Sequence, residues 1–434
     1  MEQPNRDPHT DLSPRTRVVS LGRPPREPGA ALNPPVTFTS TYIADGPTNY
    51  ARVGNPTWTP FEEAVGDLEG GRALLFSSGM AAVHAALSLV PAGGSVVAPA
   101  SAYNGVVVSL TEAARDGRLT VRWVDVTDTQ EVIAALPGAD LLWLESPTNP
   151  LLDIADIPAL SAAARDAGAL VVVDNTFATP LLQRPLQDGA DIVVHSATKY
   201  LGGHGIAIAG ALVDAGTFDF TARPKRWPRL TAPYPRYGGL VFTDAFDGTG
   251  GRTPFLVLAR SKVVHDLGPT LAPATAAQIL VGIETLDLRV QRQTATALQL
   301  AQFLAGRPEV ARVHHPGLPE HPEHARAQRL FPDGVGGVFA FDLATGADSV
   351  ETFVDALELF ALAANIGDAR SLVVHPATMT HSRLNAAGRA EAGIDLTTIR
   401  LSVGLEDVAD LQADLEQALD TVGAHHFSHD SEGH

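Results

Sequence analysis

The sequence predicts an α/β chain: a larger domain on a mainly parallel sheet, followed by a smaller α+β domain. Three observations carry this. Short apolar, β-rich runs recur at residues 95–98, 120–124, 141–144, 170–173 and 192–195. Stretches of helical character separate most of them, as at 157–167, where Gly168 supplies a stop. Strand, helix, strand at this spacing indicates βαβ units buried on both faces, with ligands expected outside the strand C-termini. Near Phe255 the pattern then changes to longer helices with interspersed strands.

In chain order, residues 1–35 are rich in Pro, Arg and Gly without a sustained period. They read as an extended arm that gains order only by docking. The arm as a whole is taken as 1–56. The first large domain is taken as 57–255, and a helical pattern runs from Thr57 to Ala114. One helix starts at Pro60 and another, 80–89, is opened by Ser77-Ser78-Gly79. After the five β-rich runs, 214–255 is loop-like and dense in Pro, Gly and aromatics. The second domain is taken as 256–422. It holds one or two helices over 276–303, strands at 338–342, 372–374 and 398–403, a helix at 349–359 and a closing amphipathic helix at 408–422. The tail 423–434, with His425, His426, His429 and His434, reads as disordered.

Composition excludes several classes. The chain has 434 residues, 45% hydrophobic and 18% charged, which suits globular domains rather than disorder. Cysteine is absent, so disulfides, Cys-based zinc sites and thiol nucleophiles are excluded, and no metal site is expected. A net charge of -18 makes nucleic acid and anionic membranes poor partners. No apolar run is long enough to span a bilayer, and the N-terminus lacks a signal-type apolar region, so a cytoplasmic setting is expected.

Lysine is scarce: Lys199, Lys225 and Lys262 are the only three among 31 basic residues. A lysine at a strand end is commonly a snorkelling side chain. Lys199, however, follows an apolar strand at the ligand edge and stands in Ser196-Ala-Thr198-Lys199 before a glycine turn. A desolvated amine there is a nucleophile toward carbonyls, as a pyridoxal phosphate (PLP) Schiff base requires. The cofactor's pyridine nitrogen then needs a carboxylate. Asp174, after Leu170-Val-Val-Val, is the candidate; a turn or N-cap aspartate is the ordinary alternative. Its phosphate needs donors, and Ser77-Ser-Gly79-Met80 opens a helix whose N-terminus favours an anion. Alone that is also an ordinary cap. Tyr50-Ala-Arg52 adds a hydroxyl and a guanidinium suited to phosphate oxygens.

Jointly these segments resemble the Cys/Met-metabolism family of PLP enzymes, of aminotransferase fold type I, over about residues 15–422. Tyr50-Ala-Arg52-Val-Gly-Asn-Pro-Thr57, Glu145-Ser-Pro-Thr-Asn149-Pro150, Val173-Asp174-Asn-Thr-Phe177 and Ile399-Arg400-Leu-Ser-Val-Gly-Leu-Glu406 carry the likeness with the motifs above. The resemblance implies that Lys199 holds the cofactor covalently and Asp174 pairs with its ring nitrogen. It implies that Gly79, Met80, Ser196 and Thr198 hold the phosphate, with Tyr50 and Arg52 supplied by the adjacent protomer. Tyr103 would stack on the ring and assist proton transfer. Asn149 would approach the cofactor's 3-oxygen and the substrate. Arg400, helped by Ser371, would bind the substrate α-carboxylate.

The segment Ala364-Asn365 to His381, Gly202-Gly-His-Gly205 and the insertion with Phe218-Asp-Phe220 and Tyr237-Gly-Gly-Leu240 are similar to the O-acetylhomoserine sulfhydrylase branch. Two motifs depart from it: Pro147-Thr-Asn149-Pro150 stands where Ile-Gly-Asn-Pro is usual, and Tyr103-Asn104-Gly-Val106 where Tyr-Gly-Gly-Thr is usual. The expectation is γ-replacement on an acyl-homoserine by sulfide or a thiol, in a homo-oligomer, a tetramer built as a dimer of dimers. On the same scaffold stand a cystathionine γ-synthase and a methionine or cystathionine γ-lyase. A catalytically idle binding or assembly paralogue is the alternative of another class.

Overall fold

The computed structural model describes residues 12–382 and 386–430. Its strands, in chain order, are β1 (Arg72–Phe76), β2 (Gly94–Pro99), β3 (Leu119–Val124), β4 (Leu141–Glu145), β5 (Leu170–Asp174), β6 (Ile192–Ser196), β7 (Gly210–Asp214), β8 (Val310–His314), β9 (Val338–Leu343), β10 (Ala361–Leu362), β11 (Leu372–Val374) and β12 (Thr398–Ser402). They make a larger, mostly parallel sheet and a second, smaller one. The chain divides into two compact units. One holds the described residues up to Pro91 with Arg184–Leu288. The other holds Ala92–Gln183 and the described residues from Arg289 on.

In the first unit β7 lies between β1 and β6, antiparallel to both. The helix Gly79–Leu87 packs on β6 and β7. Gly210 opens β7 hard against that helix's start: a Cβ there would lie 2.0 Å from the Ser78 carbonyl oxygen, so only glycine fits. The helix Trp58–Glu69 stops at Gly70 with φ 90°. Residues 214–255, expected as loop, form short helical turns. They are pinned by aromatic edges, with Phe218 and Phe220 each 5.5 Å from Trp227 and Phe242 5.9 Å from Tyr234.

In the second unit β5, β4, β2 and β3 run side by side, all parallel. β4 and β5 are wholly buried, which is why Leu-Leu-Trp-Leu and Leu-Val-Val-Val show no alternation. Each such side chain contributes about 1.5–3 kcal/mol on burial. The helix Ile157–Ala167 begins at Asp156, whose side chain accepts from the Ala159 N–H, and ends at Gly168 with φ 69°. The smaller sheet has the order β10-β11-β12-β9-β8, antiparallel except for the β10–β11 pair. Phe339, Phe341, Phe353, Leu411 and Leu415 lie in its core.

Two expectations are corrected. Part of the arm is helical: Ser13 caps Pro14–Ser20, proline suits the first helical position, and the buried Arg17 donates from Nε to Asp67 at 2.8 Å. The arm thus docks within its own unit. The last helix runs from Val408 to Asp430 rather than stopping at 422. Gly423 costs about 1 kcal/mol against alanine, too little to end a helix whose next seven residues include no proline. His434 and the side chains of His425, His426 and His429 lie outside the described residues. Among the described residues no helix is long and apolar enough to cross a membrane.

Candidate active site

In the first unit, β6 delivers Ser196 and the turn after it delivers Thr198 and Lys199. The turn is closed by the Lys199 N–H donating to the Ser196 carbonyl (3.1 Å) and the Gly203 N–H donating to the Lys199 carbonyl (2.7 Å). Behind it the strand is anchored by the buried His195, whose Nε2 lies 2.6 Å from Glu69 Oε1. Ser78 caps the facing helix by accepting from the Ala81 N–H at 3.2 Å. A Cβ on Gly79 would come within 2.8 Å of Ser196 Cβ, so the helix N-terminus is pressed onto Ser196. Thr198 Oγ1 accepts from the Ala209 N–H at 3.1 Å.

The structure therefore brings Gly79 and Ser196 together, with Met80 one residue on and Thr198 and Lys199 within three residues of Ser196. Helix-start N–H groups and hydroxyls beside an amine fit a phosphate monoester carrying an aldehyde, which is what PLP offers. The other lysines do not compete. Lys262 is tied to Asp266 and lies over the Tyr234 ring, and Lys225 is exposed on a short turn. Tyr50 and Arg52 are exposed and stack on each other, the guanidinium 5.2 Å from the ring centre.

In the second unit, Glu145 and Asp174 end adjacent parallel strands in register, so the carboxyls are neighbours. Asp174 Oδ1 accepts from the Thr176 N–H at 3.0 Å and from its hydroxyl at 2.5 Å, which fixes the carboxylate's orientation. Glu145 Oε2 accepts from the Tyr103 N–H at 2.7 Å. Burial, and then the nearby Asp174, hold the Glu145 carboxyl well above its usual range. Burial followed by Asp174 and Glu145 also raises the Tyr103 phenol, keeping it a neutral donor.

Arg400 sits on β12, paired with Val374 on β11 and Ala340 on β9. It is buried; Nη1 donates to Asn149 Oδ1 at 2.8 Å and Nη2 to the Asn365 carbonyl at 3.1 Å. These two acceptors are neutral, and they fix the direction of the guanidinium. Ser371 directly precedes β11. Its hydroxyl donates to Glu406 Oε2 (2.9 Å) and accepts from the Gly404 N–H (2.9 Å), and its N–H donates to Glu406 Oε1 (2.8 Å). It braces the loop after β12, because a buried hydroxyl takes the partner its own fold supplies.

Two side chains of the second unit carry no role in the sequence reading. Glu145 is one; its signal was an acid closing an apolar strand directly opposite Asp174. His381 is the other: buried, with Nδ1 3.0 Å from Thr380 Oγ1, and held down to about pKa 4 by burial and by Arg400. It is neutral at physiological pH. Among the described residues no group of three or more His, Asp or Glu is placed to hold a metal.

Residues 15–420 match the model of the Cys/Met metabolism PLP-dependent enzyme family. O-acetyl-L-homoserine sulfhydrylase 1 of Thermus thermophilus is 39% identical over 422 residues, covering 93% of this chain and 99% of its own. L-methionine gamma-lyase of Pseudomonas putida is 38% identical, covering 93% and 96%. A crystal structure from Campylobacter jejuni that carries a pyridoxyl-lysine superposes with TM-score 0.88 at 29% identity, covering 94% of this chain and all of that one. The cradle around Lys199, the acid at the end of β5 and a match over nearly the whole length agree: the chain belongs to the Cys/Met metabolism family of PLP-dependent enzymes, of fold type I.

Proposed function

We propose that this enzyme replaces the γ-acyloxy group of O-acetyl-L-homoserine with sulfide or a thiol, giving L-homocysteine (or its thioether) and acetate. The observation that carries the reading is the Lys199 turn seated on the capped N-terminus at Gly79, in a chain 39% identical to a sulfhydrylase over 93% of its length. Bound PLP supplies the electron sink for charge formed next to the substrate's amino carbon. Gly79, Met80, Ser196 and Thr198 hold its phosphate, and Asp174 keeps a proton on its ring nitrogen. Arg400 binds the α-carboxylate in a two-pronged pair, with Asn149 beside it to fix the angle. The Lys199 amine moves protons one at a time: it takes the Cα proton and releases it before taking one from Cβ, and once the new bond has formed it returns protons to Cβ and Cα. The neutral Tyr103 phenol stacks on the ring and supplies a proton near the departing group. The Cγ–O bond breaks with its electrons on acetate, and hydrosulfide bonds to Cγ.

Tyr50 and Arg52 complete the phosphate cup of a neighbouring subunit, which makes the enzyme a homo-oligomer; a dimer of dimers in the cytoplasm is the form we infer. Their exposure supports supply in trans. The 38% identical L-methionine gamma-lyase favours a second reading, elimination to a 2-oxo acid. Incubating the enzyme with acetylhomoserine and sulfide, and separately with methionine alone, tests both. Homocysteine from the first mixture with little 2-oxo acid from the second is expected. The reverse pattern rejects the synthase reading, and cystathionine formed only with cysteine points to a γ-synthase.

A further inference from the structure

Glu145 takes no part in the proposed chemistry, yet it stands between two residues that do. β2 and β4 are parallel neighbours, so the segments leaving their C-terminal ends lie side by side. One segment carries Ser101 and Tyr103, the other Thr148 and Asn149. Glu145, buried at the end of β4, accepts from the Tyr103 N–H at 2.7 Å and also from the Asn149 N–H. Tyr103 opens the helix Asn104–Arg115, and Asn149 Oδ1 accepts from Arg400 Nη1 at 2.8 Å. One carboxyl thus joins the backbone of the aromatic residue to the backbone of the amide that fixes Arg400. A second acid repeats the tie. Asp153 Oδ2 accepts from the Thr148 hydroxyl at 2.9 Å, and the Ser101 side chain hydrogen-bonds the same carboxyl group. The Thr148 N–H donates in turn to the Asp153 carbonyl at 3.0 Å.

We propose that Glu145 is a positioning residue, which holds Tyr103 and Asn149 in one fixed relation and thereby sets the angle at which Arg400 meets the substrate carboxylate. The inference rests on the roles given to Tyr103, Asn149 and Arg400 in the proposed function. Glu145 acts through its two backbone donors. A carboxyl suits the place, because its two oxygens can accept from two N–H groups, where an amide has one oxygen. An N–H deprived of its acceptor turns toward another partner and takes its segment with it. With Asp153 still tying the segments they part only slightly, and a misplacement under about 1 Å costs less than roughly 10²-fold.

The test uses the PLP-loaded enzyme and a double-mutant cycle. The probe is L-norvaline, which offers an α-carboxylate and no leaving group; calorimetry gives its dissociation constant. Glu145→Ala should raise that constant about twentyfold. Glu145→Gln should raise it about fivefold, since its one oxygen keeps one of the two N–H groups. KM for acetylhomoserine should rise in parallel, while equilibrium dialysis finds PLP bound within about threefold of wild type. In an Asn149→Ala background the same Glu145 substitutions should change the norvaline constant by less than twofold, because the side chain through which Glu145 acts is gone. A residue needed only for folding would lower Tm and the fraction of active enzyme, and would leave KM and the norvaline constant of the folded protein unmoved. Norvaline constants within twofold of wild type in both Glu145 variants overturn the role. So do equal effects with and without the Asn149 side chain, a loss of PLP affinity as large as the loss of norvaline, or no norvaline binding by wild type. Where Glu145→Ala does not fold, Glu145→Gln carries the cycle on the same criteria. Absence of γ-replacement by wild type would instead reject the proposed function and leave the norvaline cycle, which needs no turnover, to decide the role of Glu145.

Discussion

At the scale of single residues, the chemistry depends on a few groups placed by strand ends. Asp174 is oriented by Thr176, and a neutral amide in its place keeps the shape but no longer holds the ring-nitrogen proton. Asp174→Asn should therefore keep the cofactor and slow exchange of the substrate Cα proton by roughly 10²- to 10⁴-fold, the scale of a lost proton-handling group. Deuterium exchange followed by NMR measures it, and an unchanged rate rejects the role. Lys199 and Asp174 were singled out in the sequence because a reactive group after an apolar run marks the ligand edge of a sheet, and Arg400 because the motif around it resembles the family's. Glu145 and His381 were not, although Glu145 also closes an apolar run. Their properties come from through-space neighbours, Asp174 for one and Arg400 for the other. His315 is another buried histidine, held to about pKa 4 by burial, against an ordinary 6.5. Between those values the unfolded chain binds a proton that the folded chain does not, so this component of stability is complete above pH 6.5 and is lost as pH falls toward 4. At about 1.4 kcal/mol per pH unit, it is on the order of 3–4 kcal/mol. His315→Gln should flatten the acid limb of Tm against pH; an identical limb in both proteins contradicts this.

At the scale of elements, the cradle depends on close backbone approach. A methyl on Gly79 meets Ser196 Cβ at 2.8 Å, so the helix start must shift away from β6. Gly79→Ala should weaken PLP binding about tenfold or more, since helix-start N–H groups act only over hydrogen-bond distances. Equilibrium dialysis of the cofactor reads this directly, and unchanged affinity would mean the phosphate is held elsewhere. β2, β4, β5 and β6 were readable because strands buried on both faces are continuous apolar runs. β1 and β7 were not: Arg-Ala-Leu-Leu-Phe lies inside a stretch of helical character, and Gly-Ala-Leu-Val-Asp holds an apolar run of only three residues. The helix Pro14–Ser20 escaped for another reason. Its order comes from Arg17 meeting Asp67, fifty residues away, and no local pattern announces that contact.

At the scale of the whole molecule, the reading requires more than one chain. Tyr50 and Arg52 are exposed and stacked on each other. Mixing Lys199→Ala with Arg52→Ala subunits, each nearly inactive alone, should restore part of the activity, because one site of the hybrid holds both intact residues. No recovery despite demonstrated subunit exchange would place Arg52 in its own chain's site. The central claim, that Lys199 carries the cofactor, is unusually exposed to test in a protein with three lysines. Lys262 is committed to Asp266, and Lys225 stands in solvent. The direct measurement is borohydride reduction of the PLP-loaded enzyme followed by proteolysis and mass spectrometry. The account predicts a single pyridoxyl adduct on Lys199; an adduct on Lys225 or Lys262 with Lys199 unmodified, or no adduct at all, would contradict it.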